Sequence, residues 1–179
     1  MGRADSPLAG KVVFVVGARR SGTYWLQRLI TAHPRVAAVP SESWLLTGVA
    51  RFLESFHHAD RDAQYTGRIW ADRDLLLDAT RDFCDRMLAQ FLDSAGDRVS
   101  ERTPGHVLHL ALIAELYPDA YCVHIYRDGR DAARSLRGMD WYAGSSLGHR
   151  PGTTSATVRP RWAAAGRPFM AASVALQRA

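Results

Sequence analysis

Two short stretches of this 179-residue chain bring together side chains that bind anions. The first, Gly17-Ala18-Arg19-Arg20-Ser21-Gly22-Thr23-Tyr24-Trp25, sets two guanidinium groups and the hydroxyls of Ser21, Thr23 and Tyr24 around a pair of glycines. Gly17 and Gly22 allow a tight turn and a close approach of backbone to ligand, and a helix starting here leaves its first N–H groups without partners. Such a helix end favours a tetrahedral anion. The second stretch runs from Arg127, at the end of an apolar run, to Ser135 in the helix that follows. Eight residues separate them, at most roughly 12 Å at 1.5 Å rise per residue, so a long Arg side chain and a hydroxyl could hold one phosphate between them. The same residues also read as a helix capped by Asp128 with a surface Arg–Asp pair.

Positioning these loops requires a strand before each and a helix after it. Val12 to Val16 is a continuous β-branched apolar run, the pattern of a central parallel strand. Trp25, Leu26, Leu29 and Ile30 then recur at helical spacing. Val36 to Pro40 reads as a short strand that delivers Ser41-Glu42-Ser43 to a loop near the first one. Trp44 to Phe56 reads as helical, and His57 to Arg73 carries no assignment. Leu76, Ala79, Phe83, Met87 and Phe91 keep helical spacing from Asp74 to Leu92. Arg98-Val99-Ser100 is expected as a brief strand, His106 to Tyr117 as a helix ending before Pro118, and Ala120 to Tyr126 as a second buried strand leading to a helix through Leu136. Gly138 to Arg161 is rich in Gly, Ser, Thr and Pro and is expected to be a mobile loop. Trp162 to Arg178 is expected to be a final helical piece with no further strand. Strands alternating with helices predict a parallel sheet whose ligands gather at the strands' carboxyl ends.

Composition narrows the function classes. The net charge is +5, and of 23 basic residues all but Lys11 are arginines. Arginine's planar fork suits phosphate and sulfate. A genome biased towards Arg and Ala codons accounts for most of the excess, and no compact basic patch interleaved with aromatics marks a nucleic-acid binder. No apolar run approaches a membrane span, and Met1 to Gly10 lacks the core of a signal peptide, so the expectation is a cytoplasmic protein. Cys84 and Cys122 are far apart and read as buried free thiols.

The glycine spacing resembles a Walker A loop, but Thr23 stands where that loop has a lysine reaching the β- and γ-phosphates. That argues against ATP or GTP chemistry and leaves a P-loop nucleotide kinase as an alternative. Arg20-Ser21-Gly22-Thr23 after a hydrophobic strand resembles the 5′-phosphosulfate loop of sulfotransferases that use 3′-phosphoadenosine 5′-phosphosulfate (PAPS). In that family an Arg at a strand end and a Ser eight residues later bind the 3′-phosphate, to which Arg127 and Ser135 are similar. His33-Pro34-Arg35-Val36 followed by Glu42 is similar to the stretch where tyrosylprotein sulfotransferases and some bacterial relatives place a glutamate base, with Glu42 about one residue further on. Glu101-Arg102-Thr103-Pro104 resembles the Lys-Thr-Pro segment that supplies a cation to the transferring group, with Arg102 replacing lysine. The resemblance covers roughly Lys11 to Arg137. No Tyr-Glu-Asp-Leu-like segment follows Trp162, so the expectation is a single domain over 1–179, incomplete at its C-terminus, with a flexible segment at 1–10 and the mobile loop at 138–161.

This resemblance implies an α/β, P-loop-like three-layer fold with a central parallel sheet flanked by helices. It implies transfer of a sulfuryl group from PAPS to an acceptor hydroxyl, or an amine, leaving adenosine 3′,5′-bisphosphate and using no metal. Glu42 would be the general base, with Arg20 and Arg102 stabilising charge. Arg19, Arg20, Ser21, Gly22, Thr23, Tyr24, Trp25, Arg127 and Ser135 would bind the cofactor. A free glutamate has a pKa of about 4.3, so a useful base there would need partial burial. His106 is the substitute base, while His33 and His124 read as structural. The acceptor, a small molecule, carbohydrate or peptide, would be lined from Trp44 to Arg73 and Gly138 to Arg161. A further alternative is an inactive or truncated family member that binds the bisphosphate without transfer.

Overall fold

In the computed structural model, residues 6–57, 73–92, 97–137 and 170–176 are described. The run VVFVVG forms β1 (Val12–Gly17), buried along its whole length. A strand without a polar face needs cover on both sides. Val12, Phe14 and Val16 pack with Leu46 and Val49 of α2 (Leu45–His57), Leu77 and Leu88 of α3 (Arg73–Ala89) and Ile113 and Leu116 of α4 (Leu110–Leu116). Val15 joins the opposite cluster with Leu26 of α1 (Thr23–Ile30) and Ile125 of β4 (Tyr121–Arg127). Three layers result, with the sheet in the middle.

All strand pairs are parallel, in the order β2-β3-β1-β4-β5, with β2 at Val36–Ala38, β3 at Arg98–Arg102 and β5 at Met170–Leu176. The crossover through α1 moves outward to β2, whereas the one through α4 carries the chain from β3 past β1 to β4. Reversing the direction of winding puts the two helices on opposite faces, as same-handed crossovers require. It also opens a crevice at the strands' carboxyl ends. Gly17, Arg102 and Arg127 are the last residues of β1, β3 and β4, so they share that edge.

Several expectations change. The strand expected at Arg98 to Ser100 continues to Arg102, pairing Glu101 with Phe14 and Arg102 with Val15. The helix expected from His106 begins instead as a 3₁₀ segment, Pro104–His109, with proline in its first turn, and becomes α4 at Leu110. Within the Trp162 to Arg178 piece expected to be helical, the described residues form β5, in register with β4 from Tyr121 opposite Met170 to Arg127 opposite Leu176. Its alanine-rich MAASVAL composition favours a helix by propensity, and pairing with β4 overrides that preference. Within the segment expected to be flexible, residues 6–10 are folded onto the body: Leu8 is buried and Ser6 Oγ donates to Asp85 Oδ2 at 2.5 Å. The expected loop at 138–161 and most of the unassigned His57 to Arg73 stretch lie outside the described residues.

Under the sheet, α3 buries an ion pair. Arg81 Nε lies 3.8 Å from Asp85 Oδ2, with the Arg81 guanidinium 5.2 Å from the Tyr117 ring. Both charged side chains are almost wholly enclosed, at 6% and 5% exposure. No helix among the described residues is long and apolar enough to cross a membrane.

Candidate functional site

The loop after β1 is shaped by its backbone. A Cβ at Gly17 would meet the Ile125 carbonyl oxygen at 2.3 Å, so the close approach of β1 to β4 requires glycine. Gly22, the N-cap of α1, takes the left-handed conformation at φ 105°. Ser21, expected as a ligand, has its hydroxyl fully buried and donating to the Ala18 carbonyl at 2.6 Å, which braces the loop from inside. Gly17→Ala should therefore open the β1–β4 pairing at the loop. Such a substitution is expected to cost well over about 1 kcal/mol of stability, seen as a lower thermal midpoint.

Around the carboxyl ends of the strands lies a cavity of about 580 Å³, a common size for a small-molecule site. The first loop contributes Arg19, Arg20, Gly22, Thr23, Tyr24 and Trp25; the segment between β2 and α2 contributes Glu42 and Trp44. Arg102 and Pro104 come from the end of β3, and Arg127 and Ser135 from β4 and α5 (Gly129–Arg137). Every sequence-predicted site residue except Ser21 thus faces one enclosure. Four arginines against one glutamate make that enclosure electropositive.

Contacts inside it are specific. Arg20 Nε donates to Ser135 Oγ at 2.8 Å, joining the loop after β1 directly to α5. The Arg19 guanidinium stacks 5.0 Å from the Trp44 ring. Arg102 is buried: its Nε donates to Gln27 Oε1 at 3.1 Å, its Nη1 lies 3.4 Å from Glu42 Oε1, and its guanidinium stands 5.3 Å from the Tyr24 ring. Gln27 is fixed in turn, donating through Nε2 to the Ser100 carbonyl at 3.0 Å. At the other arm Asp128 caps α5, its Oδ1 accepting the Arg130 N–H at 2.8 Å. Hydrogen bonds from Arg130 hold the Asp128 carboxyl well below the usual carboxylate range. Capping by Asp128 and a cavity-facing Arg127 therefore coexist.

Behind Arg102 lies a polar cluster that sequence reasoning missed. Glu101, 1% exposed, accepts hydrogen bonds at Oε1 from Thr103 Oγ1 at 2.6 Å and Ser43 Oγ at 2.7 Å, and its Oε2 lies 3.0 Å from His106 Nδ1. A carboxylate only accepts, which assigns the Nδ1 hydrogen to His106. Burial pushes the Glu101 pKa up, but the hydrogen bonds and charge of His106 and the two hydroxyls outweigh it and keep the carboxyl below its ordinary value. The histidine expected as a substitute base is thus fully buried and turned towards Glu101; among the described residues no histidine lines the cavity. Gln27 had a signal, a polar residue one position from Leu26 on the inward face of α1. Glu101 had none, since its partners come from segments far apart in the chain.

Nodulation protein NoeE of Sinorhizobium fredii (strain NBRC 101917 / NGR234) is 32% identical over 146 residues, covering 76% of this chain and 33% of that protein. The chain thus spans about a third of the length of the curated relative it matches. The crystal structure of sulfotransferase STF9 from Mycobacterium avium is 20% identical, with a TM-score of 0.42 over 75% of this chain and 47% of that one, too loose a likeness to argue from. A sequence model described as the Sulfotransferase family matches residues 12–179, which takes in β1 through β5 and both arginine-bearing loops. By that match, the chain belongs to the sulfotransferase family.

Proposed function

We propose that this chain carries the donor site and the base of a sulfotransferase that moves a sulfuryl group from PAPS to an acceptor hydroxyl or amine. One observation carries the reading: the Arg20 loop and the Arg127–Ser135 arm, from different strand ends, open on the same cavity as Glu42 and Arg102. A nucleotide anionic at two separated positions needs cations at two places, and the donor set fits that need. Arg19, Arg20, Thr23 and the N-terminus of α1 suit the 5′ end, while Arg127 and Ser135 suit the 3′-phosphate. Tyr24 and Trp25 wall the enclosure.

When bound, PAPS supplies an activated sulfuryl group with the bisphosphate as leaving group. Everything else falls to this chain. Glu42 accepts the proton of the acceptor hydroxyl at a carboxylate oxygen, and Arg102 holds that carboxylate at the cavity wall. Arg20 and Arg102 place fixed positive charge where negative charge develops. The arginines supply the charge that metal ions provide in phosphoryl transfer, so the reading needs no metal.

A thermal shift series tests it. Adenosine 3′,5′-bisphosphate at a hundredfold excess over Kd should add about 2.7 kcal/mol, roughly 5–10 °C for a chain of this size. Arg127→Ala should weaken that binding roughly 10- to 100-fold, the loss of a charged hydrogen bond. An equal or larger shift with ATP and magnesium would point to a kinase instead. Bisphosphate binding without turnover of PAPS would leave a binding protein.

A further inference from the structure

We propose that Thr103 is a positioning residue: its buried hydroxyl, steadied by Glu101, clamps the Glu42–Trp44 segment to the end of β3 so that Glu42 meets Arg102. The role given to Glu42 rests on the functional reading above; the clamp rests on geometry. Thr103 Oγ1 donates to Glu101 Oε1 and accepts two consecutive N–H groups, those of Ser43 at 3.0 Å and Trp44 at 3.3 Å. Ser43 closes the circuit by donating its own hydroxyl to the same Glu101 oxygen.

The placement of this clamp is what gives it a consequence. Glu42 directly precedes Ser43 and Arg102 directly precedes Thr103, so the two segments are joined one residue away from where carboxylate and guanidinium meet at 3.4 Å. Trp44 sits at φ 54°, a conformation that costs a bulky side chain and persists only where its surroundings enforce it. Capture of its N–H and that of Ser43 by one buried hydroxyl supplies the enforcement. None of Ser43, Glu101, Thr103 and His106 lines the cavity. Their effect on chemistry is therefore indirect.

The test compares Thr103→Val, which keeps shape and loses the hydroxyl, with Thr103→Ser, which keeps the hydroxyl. Thr103→Val should lower kcat roughly 10- to 100-fold, the scale of a misplacement of about 1 Å, while bisphosphate affinity stays within about twofold. Thr103→Ser should recover most of the loss. In hydrogen exchange the Ser43 and Trp44 amides should open about tenfold more readily in Thr103→Val, with the amides of β1 unchanged. Unchanged kcat, or parallel loss of turnover and bisphosphate affinity, would overturn the proposal. If the wild-type chain shows no turnover, the functional reading fails by itself, and the exchange measurement still decides the clamp: amides released in Val and held in Ser support it, amides unchanged refute it. Should Thr103→Val not fold, Ser43→Ala removes one arm of the same circuit, the bond from Ser43 Oγ to Glu101, at an exposed position and is read the same way.

Discussion

Glu42→Gln is expected to lower kcat by about 10²- to 10⁴-fold, the contribution of a positioned general base. The amide matches the carboxylate in shape and keeps an oxygen that can accept from Arg102, now 3.4 Å away. It cannot take a proton. Because Arg127, Ser135 and the Arg20 loop are untouched, adenosine 3′,5′-bisphosphate should bind as it does to the wild-type chain. The pair of measurements separates a lost base from a damaged pocket, and undiminished turnover would remove Glu42 from the mechanism.

The second large effect concerns stability. Asp85→Ala should destabilise the fold by about 3–5 kcal/mol, because it leaves the enclosed Arg81 guanidinium without its facing carboxylate. At roughly 2–4 °C per kcal/mol for a chain of this length, the midpoint should fall by about 6–20 °C. Ser6 would also lose its acceptor, freeing the N-terminal turn that buries Leu8. Replacing both charges, Arg81→Met with Asp85→Leu, should regain much of the loss, since an apolar pair avoids burying any charge. A double variant no more stable than Asp85→Ala would show that the pair does more than satisfy itself.

Much of the scaffold could be read before any coordinates. β1 and β4 announce themselves as apolar runs, and the loops that follow hold the residues with chemistry, because a parallel sheet places its strand-to-helix turns at one edge. β5 was hidden: its alanines carry no strand signal, and only pairing with β4 makes it one. The cavity's membership was legible in Arg20, Arg102, Arg127, Ser135 and Glu42, whose types suit anions and proton transfer. Its supports were not. Ser21 looks like a ligand in sequence and turns inward to Ala18, while Glu101, named only as the neighbour of Arg102, is enclosed by Ser43, Thr103 and His106. Such roles depend on partners that only the folded topology supplies.

The strand order has a consequence for how the molecule assembles. β1 pairs with β3 and β4, joining Val12 to Val99 and Val13 to Tyr121, and it has no hydrogen-bonded neighbour from the first half of the chain. A nascent chain that has emerged only as far as α3 therefore holds its most apolar segment with no ladder to complete. Closing such distant pairings is slow, and the segment is open to wrong associations until they form. The loop after β1, whose Gly17 lies against Ile125, meets that neighbour only once β4 has been synthesised.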